Sequence, residues 1–131
     1  MSLLMFVAGL ALQEAALPAA PTRPMIECSE HLHDDRAIRR CLDDLLNAAE
    51  DGLDAALDNA RTEAREIDLD MPGLANATGH LDSAHTAWIA YRDAECARRA
   101  SLMLIGEDGE AIATDCQIAL TRARTRELIE Q

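Results

Sequence analysis

The sequence is poor in the residues that build sheets. Its 131 residues include one Trp, one Tyr and one Phe, whereas 25 are alanine. Sheets favour aromatic and β-branched residues, and alanine gives up no side-chain entropy in a helix. Only one proline, Pro72, follows residue 24, so few positions interrupt a helix. These shortages predict an all-α fold with one small core in a single domain.

Lysine is absent, and positive charge in general is scarce. The chain has 24 acidic residues against 12 basic ones, all arginine, which gives a net charge of -12. Such a surface repels phosphate backbones and excludes nucleic acid as a natural partner. A cationic partner fits it better. The alternative is that the acidic residues serve only to keep a small protein soluble.

The motifs of catalysis are also missing, since there is no Gly-rich phosphate loop and no Ser-centred elbow. Asp93 and Glu95 are two residues apart on a predicted helix, so they point in different directions and do not form an acid pair. Two cysteines and two histidines could be considered as a zinc site: Cys28, His31, His33 and Cys41. Their spacing does not match that of a zinc finger, and cysteines in an oxidising compartment form disulfides instead. We predict no enzyme activity, no metal and no cofactor.

The first residues predict export. Residues 3–12 are an apolar run of the length of a signal-peptide core, too short to cross a bilayer, and an Ala/Pro-rich stretch follows. We predict a signal peptide over 1–20 and a helical domain over 21–131, secreted or periplasmic, with no membrane span after removal of the signal. A cytoplasmic chain with an apolar tail is the alternative.

Four cysteines in a small exported domain predict two disulfides. Three pairings are possible. We favour the local ones, Cys28 with Cys41 and Cys96 with Cys116, because each would bracket a segment that enters a helix.

Apolar residues recur at three- and four-residue steps in three stretches, which predicts a small three-helix bundle. The first helix runs from Asp34 to about Ile67, the second from between Pro72 and Leu81 to about Met103, and the third from about Glu110. In the third helix the residues expected to face inward are Ile112, Cys116, Ala119, Leu120, Ala123 and Leu128.

Carboxylates crowd the outer side of the predicted first helix. Like charges at helical spacing cost stability, so this side must be solvated or must meet a cationic partner. The candidate partner-binding residues are Asp43, Asp44, Glu50, Asp51, Asp54 and Asp58, with Asp93 of the second helix.

The stretch from Trp88 to Cys96 holds both aromatic residues found after the leader. Aromatic residues at helical spacing usually belong to the core, so we expect Trp88 and Tyr91 to fill the helix junction as structural anchors. Arg92, one turn after Trp88, can lie over the indole and pair with an acid of the first helix. The Tyr91 hydroxyl can similarly reach Glu95.

This stretch carries a resemblance. The run Trp-Ile-x-Tyr-Arg-Asp-x-Glu-Cys at 88–96 is similar to the lysozyme inhibitor LprI-like domain family, small exported helical proteins of bacteria. The similarity continues through a Gly-containing turn at 106–109 to Cys116, and upstream it includes Cys28 and Cys41. It therefore covers about residues 28–130. The family's usual Gln three residues before the Trp is His85 here. The resemblance implies a disulfide-bonded helical fold and the binding and inhibition of a lysozyme, without assigning site residues.

Two hypotheses for function follow. The first is an exported inhibitor that binds a cationic glycan hydrolase, such as a basic lysozyme or another cationic protein, through the acidic helical surface. The alternative is a cell-envelope structural or interaction module with no inhibitory activity. Salt-sensitive binding of lysozyme distinguishes them.

Overall fold

The structure, a computed structural model, describes residues 23–103 and 108–131, and within these ranges it contains helices and no strand. A short helix α1 (Pro24–Glu27) and a 3-10 turn (Ser29–His31) precede three long helices. These are α2 (Asp35–Asp70), α3 (Ala77–Ser101) and α4 (Gly109–Ile129). The predicted three-helix bundle is confirmed, and the short helical segment before it was not predicted. The predicted signal peptide and the first half of the predicted turn at 106–109 lie outside the described residues.

Aspartate side chains begin all three long helices. Asp34 accepts hydrogen bonds from the backbone N–H groups of Arg36 and Ala37 at the start of α2, and Asp108 does the same for the first turn of α4. For α3 the cap comes from the preceding helix: Asp68 accepts from the N–H groups of Ala77 at 2.7 Å and Thr78 at 3.0 Å. These caps satisfy amide groups that have no partner inside the helix.

The cap on α3 has an electrostatic consequence. The hydrogen bond from the Thr78 N–H is the largest of the influences that lower the pKa of Asp68 below its ordinary value. Between the two helices the chain turns at Gly73, whose φ of 77° lies in the left-handed region that glycine adopts without a Cβ clash. Asp68 and Gly73 together fix the reversal from α2 to α3.

The core consists of two apolar clusters along α2. One is built of Cys28, Ile38, Leu42, Ala49, Ala111 and Ile118, and it joins the N-terminal segment to α2 and α4. The other is built of Leu53, Ala56, Leu57 and Leu128, with Leu81 and Trp88 of α3 packed against it. Leucine and isoleucine side chains contribute most of the apolar area that these clusters remove from water, and the alanines add little.

The inward face of α4 differs from the prediction. Cys116 and Leu128 are buried as expected, but Ala119 is exposed, and the buried set also contains Ala111, Ile118 and two polar residues. Thr121 and Asp115 are buried because each bonds a group on another element: Thr121 accepts from Arg92, and Asp115 accepts from the Met25 N–H at 2.7 Å. Apolar periodicity therefore misplaced this face.

Both predicted disulfides are present. Cys28–Cys41 ties the N-terminal segment to α2, with its Cα atoms 5.9 Å apart, and Cys96–Cys116 ties α3 to α4, with its Cα atoms 5.4 Å apart. The local pairing is confirmed, and no cysteine is left free. Among the helices described, none is both long and apolar enough to cross a membrane.

We expect the disulfides to supply a large share of the stability. Changing both Cys96 and Cys116 to Ala should lower the free energy of unfolding by about 3 kcal/mol, because an open chain has more unfolded conformations to lose. Urea denaturation measures the difference. Full reduction of the unchanged protein is the control, since it removes the crosslinks without changing a side chain. A loss below about 1 kcal/mol in both experiments would contradict the expectation.

Candidate functional site

Five aspartates define the acidic face of α2: Asp43, Asp44, Asp51, Asp54 and Asp58. All five are exposed, and their spacing places them on the side of the helix away from the buried Leu42 and Leu53. At 1.5 Å per residue the face extends over about 22 Å of helix. This length suits contact with another macromolecule.

Most of the charge on the acidic face is uncompensated. In the described part of the chain, Asp43, Asp44, Asp51 and Asp54 form no ion pair. Asp58 lies 3.7 Å from Arg61, which also binds Asp82 of α3. Within the described structure, four carboxylates of the acidic face are therefore exposed to solvent alone, and a cationic partner would have to displace only water.

Two of the predicted contact residues occupy a different environment. Glu50 and Asp93 both bind Arg92, the first through Nη1 at 3.3 Å and the second through Nε at 2.9 Å. The single guanidinium of Arg92 offsets part of their negative charge. Their attraction for a cationic partner is therefore weaker than that of the five aspartates. Glu50 lies at the edge of the acidic face, on the side toward α3, and Asp93 belongs to α3 itself.

Arg92 joins the three long helices. From α3 its Nη1 donates to Glu50 of α2 and to the buried Thr121 of α4, at 3.2 Å. Its Cζ lies 5.4 Å from the centre of the Trp88 ring, and its side chain is 12% exposed. Five N–H groups in a rigid fork allow one guanidinium to serve several acceptors.

The two aromatic side chains have different roles. Trp88 is half-buried and packs on the cluster that contains Leu53 and Leu57. Tyr91 is 55% exposed, so the prediction that it anchors the core is wrong. It lies about 100° around α3 from the line through His85, Trp88 and Arg92 that faces the other helices.

Glu95 pairs with arginines and not with Tyr91. Its carboxylate accepts hydrogen bonds of 2.8 Å from Arg98 and from Arg99. These bonds lower the pKa of Glu95 to about 2. The pair with Tyr91 expected from their spacing is replaced by a stronger, charge-assisted one.

His85 is partly buried, and in the sequence it stood out only as a departure from the family's usual Gln, with no role assigned to it. Its ring stacks on Trp88, with centroids 6.0 Å apart and an angle of 13° between the planes, and its Nδ1 has no hydrogen-bond partner in the described chain. Burial lowers the pKa of His85, Arg61 and Arg124 lower it further, and Asp54 and Asp82 oppose them. The three-residue spacing between His85 and Trp88 could have predicted that the two rings lie together on one side of α3.

The described residues contain no group of His, Cys, Asp and Glu side chains arranged to hold a metal ion. Two cysteines of the zinc set considered from the sequence, Cys28 and Cys41, are joined to each other in a disulfide. The chemistry that this surface offers is electrostatic attraction and hydrogen bonding.

Comparison with known proteins gives one match. The family model described as Lysozyme inhibitor LprI matches residues 28–128. The match begins at the first cysteine and includes Trp88, Arg92 and both disulfides. No curated protein and no solved structure matches the chain.

Replacing Arg92 should loosen the bundle. Arg92→Met keeps an unbranched apolar stem but leaves Thr121 and Glu50 without their donor, and we expect the free energy of unfolding to fall by about 2 kcal/mol. Urea denaturation measures the change. Arg65→Met is the matched control, because Arg65 is exposed and its only side-chain hydrogen bond within the described residues goes to Thr62 of the same helix. Equal effects of the two substitutions would contradict the role of Arg92.

His85 should make stability depend on pH. Since its pKa in the folded protein lies below the ordinary value of 6.5, the unfolded chain takes up the proton first. Stability is then complete above about pH 6.5 and falls as the pH drops from there toward the pKa of the folded state. Substituting Gln, which is polar but does not titrate (His85→Gln), should flatten this slope.

Thermal unfolding between about pH 8 and pH 5 tests this expectation. His33→Gln is the control, because the exposed ring of His33 loses little hydration on folding. The expectation fails if wild type and His85→Gln lose stability in parallel over this range.

Proposed function

Because the chain belongs to the lysozyme inhibitor LprI family, we propose that it is an exported inhibitor that binds a basic lysozyme through the acidic face of α2. It acts by binding and not by catalysis. Two disulfides and an apolar leader support a secreted or periplasmic location, since disulfides persist in oxidising compartments.

The observation that carries the proposal is the uncompensated charge of the acidic face. Asp43, Asp44, Asp51 and Asp54 face solvent with no cation of the described chain within ion-pair distance. A positively charged enzyme is steered toward such a surface and gains ion pairs on contact. Within the protein itself these carboxylates repel one another, so a cationic partner also relieves an internal cost.

Arginines border the acidic face and narrow the choice of partner. Arg36 and Arg40 precede it on the same side of α2, and Arg61 and Arg65 follow it. A partner must therefore present positive charge over about 22 Å, the length of the acidic face, with weaker positive potential on either side. A cleft bordered by basic side chains on its rim meets this requirement.

Inhibition follows from covering the cleft. Glycan hydrolases cleave their substrate between two carboxylic acid groups in a groove that must admit the sugar chain. A helix laid across the groove excludes the chain without reacting with the acids. Since α2 is already held by two apolar clusters and by Arg92, little conformational freedom is lost on binding.

The test compares two pairs of substitutions on one helix. Asp51→Asn with Asp54→Asn removes charge from the acidic face, and Glu63→Gln with Asp70→Asn removes the same charge from another side of α2. In a cell-wall clearing assay with a basic lysozyme at low salt, we expect the first pair to inhibit about ten-fold less well and the second pair to match the wild type.

Salt supplies the second measurement. Raising the ionic strength shortens the reach of exposed charges to about 8 Å at 0.15 M, so inhibition by the wild-type protein should weaken and the difference between the variants should shrink. The absence of inhibition by excess oxidised protein at low salt would contradict the proposal. Salt-sensitive binding without inhibition would support the alternative, an interaction module of the cell envelope.

A further inference from the structure

A groove of about 580 Å³ lies on a side of the bundle to which α2 does not contribute. It is formed by the N-terminal segment, the end of α3 and one side of α4. Its apolar lining includes Leu102, Met103, Ile112 and Ala119. Leu102 is 63% exposed although large apolar side chains favour burial. The volume falls within the range of small-molecule sites, about 300–1,000 Å³.

Four of the 12 arginines of the chain line this groove: Arg23, Arg99, Arg122 and Arg126. In a protein with a net charge of -12, this local concentration of cations is the reverse of the general balance. An anion that the rest of the surface repels would find favourable potential here.

The arginines of the groove are compensated to different degrees. Arg122 binds Glu27 at 2.6 Å, and Arg99 binds Glu95 at 2.8 Å. Arg23 is mostly exposed and lies 4.0 Å from Asp115. Arg126 is exposed and has no ion-pair partner in the described chain. Arg126 can therefore give its guanidinium to a ligand without breaking a bond.

Asp115, the one carboxylate in the lining, is already engaged. Asp115 is buried, and its Oδ1 accepts a hydrogen bond from the Met25 N–H at 2.7 Å. Asp115 thus holds the N-terminal segment against α4 as one wall of the groove. Its remaining charge is opposed by Arg23.

We propose that this groove binds a single-chain anionic amphiphile, a fatty acid. The acyl chain lies along Leu102, Met103 and Ile112, and the carboxylate meets the guanidinium of Arg126, whose fork of N–H groups matches its two oxygens. The groove shares no residue with the acidic face, so this inference is independent of the inhibition of a lysozyme.

Calorimetric titration of the oxidised protein, as recovered from the producing cells, tests the site. The probes are dodecanoate, dodecanol and dodecyltrimethylammonium, which share a chain and differ in the charge of the head group. We expect dodecanoate to bind with one-to-one stoichiometry and the other two to bind more weakly.

Three variants locate the binding. Arg126→Glu should weaken dodecanoate binding about five-fold or more, whereas Arg36→Glu, an equally exposed change on α2, should leave it within about two-fold. Leu102→Asp should also weaken binding, because it replaces an apolar wall, and its exposed position leaves folding intact. Circular dichroism confirms that each variant is folded.

Several results would overturn the proposal. These are no binding of dodecanoate, dodecanol binding as tightly as dodecanoate, or equal effects of Arg126→Glu and Arg36→Glu. Binding to phosphatidylglycerol vesicles without binding of dodecanoate would assign the groove to a membrane surface instead. A dimer in sedimentation that Arg126→Glu dissolves would assign it to a second copy of the chain.

Discussion

The guanidinium of Arg92 is the interaction on which the arrangement of the three long helices depends. It projects from α3, donates to Glu50 of α2 and Thr121 of α4, and lies over Trp88. A guanidinium that loses most of its water must recover its hydrogen bonds from the protein, so three helices have to supply acceptors at one point. The same contact orients the acidic face. Glu50, at the edge of that face, is held toward α3 by Arg92, and Asp51 and Asp54 remain exposed to solvent.

The two ends of the bundle are stabilised in different ways. Near the N-terminal segment, the disulfides Cys28–Cys41 and Cys96–Cys116 supplement a cluster that includes the fully buried Leu42 and Ile118. Toward the turn between α2 and α3, Leu53, Leu57 and Trp88 pack together and Asp68 caps α3. Both ends therefore bury aliphatic side chains, and only the first adds covalent crosslinks to that burial.

Much of this fold follows from sequence patterns, and the exceptions have physical causes. Helix positions and disulfide pairing were predictable because they depend on local spacing and on the number of cysteines. The buried face of α4 was not, because Asp115 and Thr121 are buried by hydrogen bonds to Met25 and Arg92, which periodicity does not detect. Tyr91 was misassigned for a related reason: the scarcity of aromatic residues made it look indispensable, yet its helical phase turns it outward. The exposure of the five aspartates could be predicted from helical spacing alone, but the pairing of Glu50 and Asp93 with Arg92 required the structure.

The separation of charge between the two surfaces has in part a structural origin. Arginines favour the carboxyl ends of helices, where the dipole is negative, and Arg98, Arg99 and Arg126 all lie in last turns. In α2, by contrast, the described last turn holds no basic residue, and aspartates occupy the middle, where the dipole gives neither sign an advantage. Helix stability therefore accounts for the arginines of the groove in part, and it does not account for the acidic face. Four of the five aspartates of this face have no ion-pair partner in the described chain, and like charges at helical spacing lower helix stability, which is the ground on which we propose a cationic partner for it.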